Sequence, residues 1–167
     1  MSRKHRRYSL KSKEAKALLN KASEKLKIDL GTVVDAKANI EVVEVDFGEV
    51  FLINGKPLLF RAGAEVFPTL FFKEISLLVP KVVVDMGAVP YVCNGADIMA
   101  PGIVRVEGEF SKGAIVLVVD EKHGKPLAIG EILYDAAEVR NVKQGVVVKN
   151  VHYVSDKTWN FAKTLVE

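Results

Sequence analysis

The chain has 167 residues, 49% hydrophobic and 27% charged, with a net charge of +3, a composition that places it among globular and not disordered proteins and supports a buried core in one domain or two small ones. No apolar run approaches the roughly 18–20 residues of a membrane-spanning helix, and no apolar segment of the secretory kind follows the basic start, so no membrane contact is expected. The single cysteine, Cys93, cannot form an internal disulfide, and the expected compartment is a reducing cytoplasm.

Charge is uneven along the chain. Residues 1–27 carry ten Lys and Arg against Glu14 and Glu24, a local +8, whereas the remainder carries 14 against 19, or −5. A basic head of this kind suits a polyanion, and Arg3, Lys4, Arg6 and Arg7 are its candidate contacts. An equally simple reading is a solvated tail. Next, Ser12–Lys27 predicts a helix with Ala15, Leu18, Leu19, Ala22 and Leu26 on one face and Ser12 as its N-cap. Period-two strands follow in "NIEVVEVDF" and "EVFLINGKPLLF", the second a hairpin turning at Asn54-Gly55. Pro68 is expected to open a helix over "PTLFFKEISLL".

Pro80 marks the expected boundary, giving an α+β unit at 1–78 and a second unit at 79–155. Beyond it come short apolar strands ("KVVVD", "GAIVLVVD", "PLAIGEIL", "GVVVKNVHYV"), the pattern of a small barrel or sandwich. One helical piece is expected inside it, near Ala88–Asn94. A closing helix at 156–167 spaces Trp159, Ala162 and Leu165 for packing on the body.

Catalytic signatures are missing from this pattern. His5, His123 and His152 have no serine or cysteine partner in a nucleophile motif, and Cys93 in an apolar helix reads as an inert thiol. Asp85 and Asp97 are better explained as turn and cap residues than as an acid/base pair. No Cys/His spacing suggests zinc, and "GADIMAPG" lacks the Lys-Ser/Thr ending of a phosphate-binding loop, so neither metal, cofactor nor enzymatic activity is expected. The stretch "CNGADIMAPGIV" keeps two readings. Its glycines and proline are ordinary turn chemistry, and the same freedom would let phosphate oxygens approach backbone amides.

The stretches "VVVDMGAVPYVCNGADIMAPGIV", "KGAIVLVVDEKHGKPLAIGEIL" and "GVVVKNVHYVSD" occur in the order of a PUA domain, the RNA-binding pseudobarrel of pseudouridine synthases and archaeosine transglycosylases. With its N-terminal half, the chain resembles the pre-PUA plus PUA proteins of the MCTS-like (malignant T-cell amplified sequence) and ligatin translation factor family, in an archaeal form. The resemblance implies an α+β pre-PUA domain followed by a PUA β-pseudobarrel. It also implies a non-catalytic RNA-binding protein acting on tRNA and the small ribosomal subunit at initiation, reinitiation or recycling. The alternative is an RNA-presenting subunit of a tRNA/rRNA modification enzyme or a ribosome biogenesis factor. The implied partners are structured RNA (a tRNA acceptor end or rRNA), the small ribosomal subunit and a density-regulated-protein-like partner. The matching loop positions are Gly95, Ala96, Asp97, Met99, Pro101 and Gly102, with Ile98 and Met99 expected to anchor the loop in the barrel. Lys81, Arg105 and Lys149 are candidate phosphate contacts by charge and sequence proximity, and Tyr91 is a candidate stacking residue. On this reading Gly95→Arg should block the loop without disturbing the fold.

Overall fold

The computed structural model describes residues 6–167, so Arg3 and Lys4 lie outside the described residues. Arg6–Ser9 is not a free arm but the first strand, β1, of a five-stranded antiparallel sheet. The helix α1 (Ser12–Leu26) follows, and then come β2 (Ile40–Val45), β3 (Gly48–Ile53), β4 (Lys56–Ala62) and β5 (Glu65–Pro68), paired in chain order. Leu18, Ala22 and Leu26, spaced by four, are the buried stripe of α1. Lys11, not Ser12, is its N-cap, and the Lys11 N–H donates to the Glu14 carboxylate at 3.2 Å. Asn54 and Gly55 take the positive φ values, 51° and 81°, of the expected hairpin turn.

The long helix expected from Pro68 does not form. Pro68 ends β5 opposite Leu59, and only α2 (Lys73–Ser76) is helical. Tertiary bonds override the local pattern: the Thr69 hydroxyl donates to the Pro57 carbonyl at 2.7 Å, and the Leu70 N–H donates to His152 Nε2 at 3.2 Å.

The second sheet contains β6 (Lys81–Val84), the short helix α3 (Val89–Val92), β7 (Ile98–Met99), β8 (Ile103–Glu107), β9 (Ile115–Asp120), β10 (Pro126–Ile132), the helix α4 (Ala136–Val139) and β11 (Val146–Tyr153). Its strand order is β7-β11-β10-β9-β6-β8, with β6 and β9 parallel. The helix α4 is a second helical piece where one was expected; four residues are too few for a periodic signal. Strands β7 and β8 occupy opposite edges of this sheet, yet only Ala100–Gly102, a 3-10 turn, separates them in sequence. Three residues span roughly 10 Å, so the sheet must curl until its edges meet. That is the expected pseudobarrel, with the Ala100–Gly102 turn as its seam.

In the barrel, β6, β9 and β10 are buried on both faces, which removes the alternation of a half-exposed strand. In β9, Val116 and Val118 face the barrel interior, whereas Ile115, Leu117 and Val119 join a core shared with α1 and the first sheet. The closing helix α5 (Lys157–Val166) starts at Asp156, whose carboxylate accepts the Trp159 N–H at 2.7 Å, and Trp159 packs on Phe71 with ring centroids 5.9 Å apart. Lys25 of α1 ties the halves further, bonding Glu65 of β5 at 2.9 Å and Glu131 of β10 at 2.8 Å. Burial pulls the Lys25 ammonium pKa down, but the two carboxylates outweigh it and leave the pKa raised.

Register shifts at Gly130, which opposes Asn150, while Ile129 opposes His152; β11 therefore carries one extra residue, Val151. A methyl group at Gly130 would overlap Val148 Cγ1 and lie 2.9 Å from the Lys149 carbonyl oxygen. Gly130→Ala should therefore destabilise the fold by about 1–3 kcal/mol, read as a lowered denaturant midpoint. At the neighbouring cluster, burial raises the Asp156 pKa, but bonds from the buried His152 ring and from the Trp159 and Tyr153 N–H groups outweigh it and hold the carboxyl below its usual range. Its stabilisation is full above about pH 4 and is lost as pH falls through the depressed pKa. Asp156→Asn should cost about 1–3 kcal/mol at neutral pH and flatten the acid side of the stability–pH curve, both checked by unfolding across a pH series.

Candidate nucleic-acid interface

The loop from α3 to the barrel seam is held at both ends and from beneath. Asp85, at the end of β6, accepts the Ala88 N–H on its carboxylate at 2.8 Å, and its own N–H donates to the Gly102 carbonyl at 2.9 Å. These bonds start α3 and tie the two ends of the loop together. Asn150 of β11 clamps the middle: its side-chain amide donates to the Val92 and Ala96 carbonyls at 3.1 and 3.0 Å, and its N–H donates to the Asp97 carboxylate at 2.9 Å. Asp85 therefore has the turn role expected of it, whereas Asp97 does not cap a local turn but accepts a long-range bond from β11.

Gly95 has φ +92°, the left-handed residue that ends the short helix. A Cβ there would sit 3.1 Å from the Tyr153 ring, and one at Gly102 would sit 3.2 Å from the Ala88 Cβ. Both glycines thus admit protein neighbours, and Gly95→Arg would press on Tyr153 and strain the backbone as well as alter the loop surface. Ile98 is buried at 2% exposure, as an anchor should be, but Met99 is 46% exposed and does not anchor the loop. Tyr91 is 71% exposed and Met86 41%, which leaves an aromatic ring and two thioethers in solvent around this loop.

Tyr91, Ala96, Asp97, Met99 and Pro101 thus share one exposed end of the barrel, with Gly95 and Gly102 packed beneath or beside them. Arg105 stands on β8, three positions beyond the seam, and gives one N–H to Glu107 at 2.8 Å. Lys81 opens β6 opposite Glu107, three residues or roughly 10 Å from the loop border at Val84. Lys149 opposes Glu131, the residue that holds Lys25, and as a strand neighbour of Asn150 it points away from the loop. In the head, Arg7 is bonded to Glu41 at 2.9 and 3.1 Å, and Arg6 lies 3.8 Å from Glu44. Glu41 is held below the usual carboxylate range by that Arg7 bond.

Sequence reasoning missed Asn150, although a lone amide inside "VVVKNVHYV" was the available signal. Cys93 is half-buried, and burial pushes its thiol pKa up, which keeps it protonated. Among the described residues, no group of three or more His, Cys, Asp or Glu is placed to hold a metal ion, and no helix is long and apolar enough to cross a membrane.

Comparison with known proteins agrees with this architecture. The family model "PUA domain" matches residues 80–154, and "Domain of unknown function (DUF1947)" matches residues 6–73. An uncharacterized protein of Methanocaldococcus jannaschii is 38% identical over 157 residues, covering 93% of this chain and 96% of that protein. Translation machinery-associated protein 20 of Saccharomyces cerevisiae is 30% identical over 169 aligned positions, covering 95% and 93%. Malignant T-cell-amplified sequence 2 of Mus musculus is 29% identical over 137, covering 78% and 76%. Among solved structures, a hypothetical protein from Pyrococcus horikoshii superposes with a TM-score of 0.78 at 33% identity, covering 94% of this chain and 99% of that one. A PUA domain protein from Aeropyrum pernix superposes with a TM-score of 0.85 at 26% identity, covering 98% and 94%. With a pre-PUA sheet, a PUA barrel and this similarity through both, the chain belongs to the PUA-domain family that includes translation machinery-associated protein 20 and the malignant T-cell-amplified sequence proteins.

Proposed function

We propose that this protein is a non-catalytic RNA-binding factor of translation that acts in the cytoplasm on the small ribosomal subunit and tRNA, at initiation, reinitiation or recycling. The observation that carries the proposal is the similarity to yeast translation machinery-associated protein 20, which runs through both sheets and not the barrel alone. On this reading the barrel holds structured RNA, a tRNA acceptor end or ribosomal RNA, at the α3–β7 loop. Tyr91 stacks on an unpaired base, and the flexible Met86 and Met99 side chains adapt to its neighbours. Ala96, Asp97 and Pro101 shape the contact, while Gly95 and Gly102 keep the loop closed against Tyr153 and Ala88. The N-terminal sheet, with Arg6 and Arg7 on its edge strand and Arg3 and Lys4 preceding it, faces the subunit or a density-regulated-protein-like partner.

The loop is tested by Tyr91→Ala in filter binding with tRNA and ribosomal RNA fragments. Loss of one stacked base should weaken binding by about 1–3 kcal/mol. The unfolding midpoint should not move, because the ring is exposed. Unchanged affinity would reject the loop as the site, and wild-type protein that binds neither RNA at low salt would reject the function.

A further inference from the structure

Leu77 and Leu78 follow α2 and stand in solvent, 77% and 55% exposed, and Leu77 is the most exposed large apolar side chain among the described residues. Local bonds hold them there. The Leu77 N–H donates to the Lys73 carbonyl at 3.3 Å, and the Leu78 and Val79 N–H groups donate to the Ile75 carbonyl at 2.9 and 3.1 Å. A closed turn thus presents the two leucines while Ile75 and Val79 are buried. Leu78 also lines a cleft of about 500 Å³ between the end of α1 and the 109–113 loop, with Leu26, Ile28, Phe110 and Ile115 as its other large apolar groups. Both walls are fixed. The Lys112 N–H donates to the Asp135 carboxylate at 2.6 Å and the Gly113 N–H to the Ile132 carbonyl at 2.8 Å, while Lys27, in the left-handed conformation, closes α1 by donating its N–H to Ser23. Adjoining exposed apolar groups beside a preformed recess mark a contact with another macromolecule.

The charges around this cleft select the partner. Glu24 and Lys27 stand on the α1 wall and Glu109 and Lys112 on the loop wall; all four are exposed, and none makes a side-chain hydrogen bond or ion pair with another described residue. Lys25, also in the lining, is already held by Glu65 and Glu131. Each wall therefore carries one free acid and one free base, and no net charge draws a polyanion or a strongly charged protein. A segment that reads acid then base meets its own reverse with every acid opposite a base, the arrangement that a two-fold axis makes. We propose that this face pairs with a second copy of the chain, Leu77 of each protomer entering the cleft of the other beside Leu78. Knob and hole adjoin on one surface, so a single two-fold contact fills both holes and closes the assembly at a dimer. The face is smaller than the roughly 20–30 residues a side of a standard stable interface, so the dimer forms only at high protein concentration. It lies at the Lys81–Glu107 end of β6 and β8, whereas the α3–β7 loop lies at the Val84–Ile103 end. Pairing here leaves that loop open and does not depend on the RNA-binding reading.

The test is sedimentation equilibrium of the full chain from micromolar to near-millimolar concentration. It compares wild type, Leu77→Ser, a cationic variant (Glu24→Lys/Glu109→Lys) and an anionic variant (Lys27→Glu/Lys112→Glu). Wild-type protein should rise from monomer to dimer mass and no further. Leu77→Ser should raise the dimer dissociation constant about tenfold or more, because each dimer loses two leucines from burial. Its unfolding midpoint should match that of the wild type, since the side chain is exposed in the single chain. Each charge variant alone should stay monomeric, and an equimolar mixture of the two should form a dimer, since only the mixed pair sets unlike charges against each other. Wild-type protein that stays monomeric throughout, or whose mass climbs past a dimer, would overturn the proposal. So would a dimer that Leu77→Ser leaves intact, or charge variants whose mixture stays monomeric.

Discussion

At the β10–β11 bulge, one extra residue reverses the side-chain alternation of β11. A regular strand would put Asn150 and His152 on one face. With Val151 inserted opposite the bend, Asn150 points to the α3–β7 loop, while Val151 and His152 both turn toward the core shared with the first sheet. Tyr153 returns to the barrel side and covers Gly95. Four consecutive residues thus clamp the candidate RNA loop and dock the other half of the molecule. The bulge exists because Gly130 lets β11 approach where any Cβ would collide with Val148. His152 completes the junction: Nε2 accepts the Leu70 N–H, so Nδ1 carries the proton that Asp156 accepts at 2.8 Å.

Because one apolar core runs from α1 through the first sheet to β6, β9 and β10, the two halves form one packed body. The loop is therefore presented at a set angle to the N-terminal sheet. A factor that must touch RNA at one end and a subunit at the other gains from such a frame, since little ordering entropy is lost on binding.

Much of this architecture was legible. The hairpin at Asn54-Gly55, the stripe of α1 and the continuous apolar runs of the barrel strands are local signals that tertiary packing reinforces. Failures came where long-range bonds decide. Pro68 looks like a helix start, yet it closes a strand because Leu59 pairs with it and His152, far along the chain, fixes Leu70. Lys25 looks like one more solvated lysine, yet its position on α1 brings it between Glu65 and Glu131. At the site, the glycines announced a loop but not what they accommodate. Gly95 and Gly102 admit Tyr153 and Ala88, and the exposed chemistry belongs to Tyr91, Met86 and Met99. No periodicity separates an exposed tyrosine on a four-residue helix from a buried one.

The molecule combines an exposed aromatic at a braced loop with a rigid second sheet, in a family whose yeast relative is named for the translation machinery. The most direct measurement of that account is sedimentation of the full chain with purified small ribosomal subunits, with and without tRNA, at low and moderate salt. Salt-sensitive co-sedimentation with the subunit, strengthened by tRNA, is the predicted result. Protein that stays at the top of the gradient in both salts, whether or not tRNA is present, would contradict it.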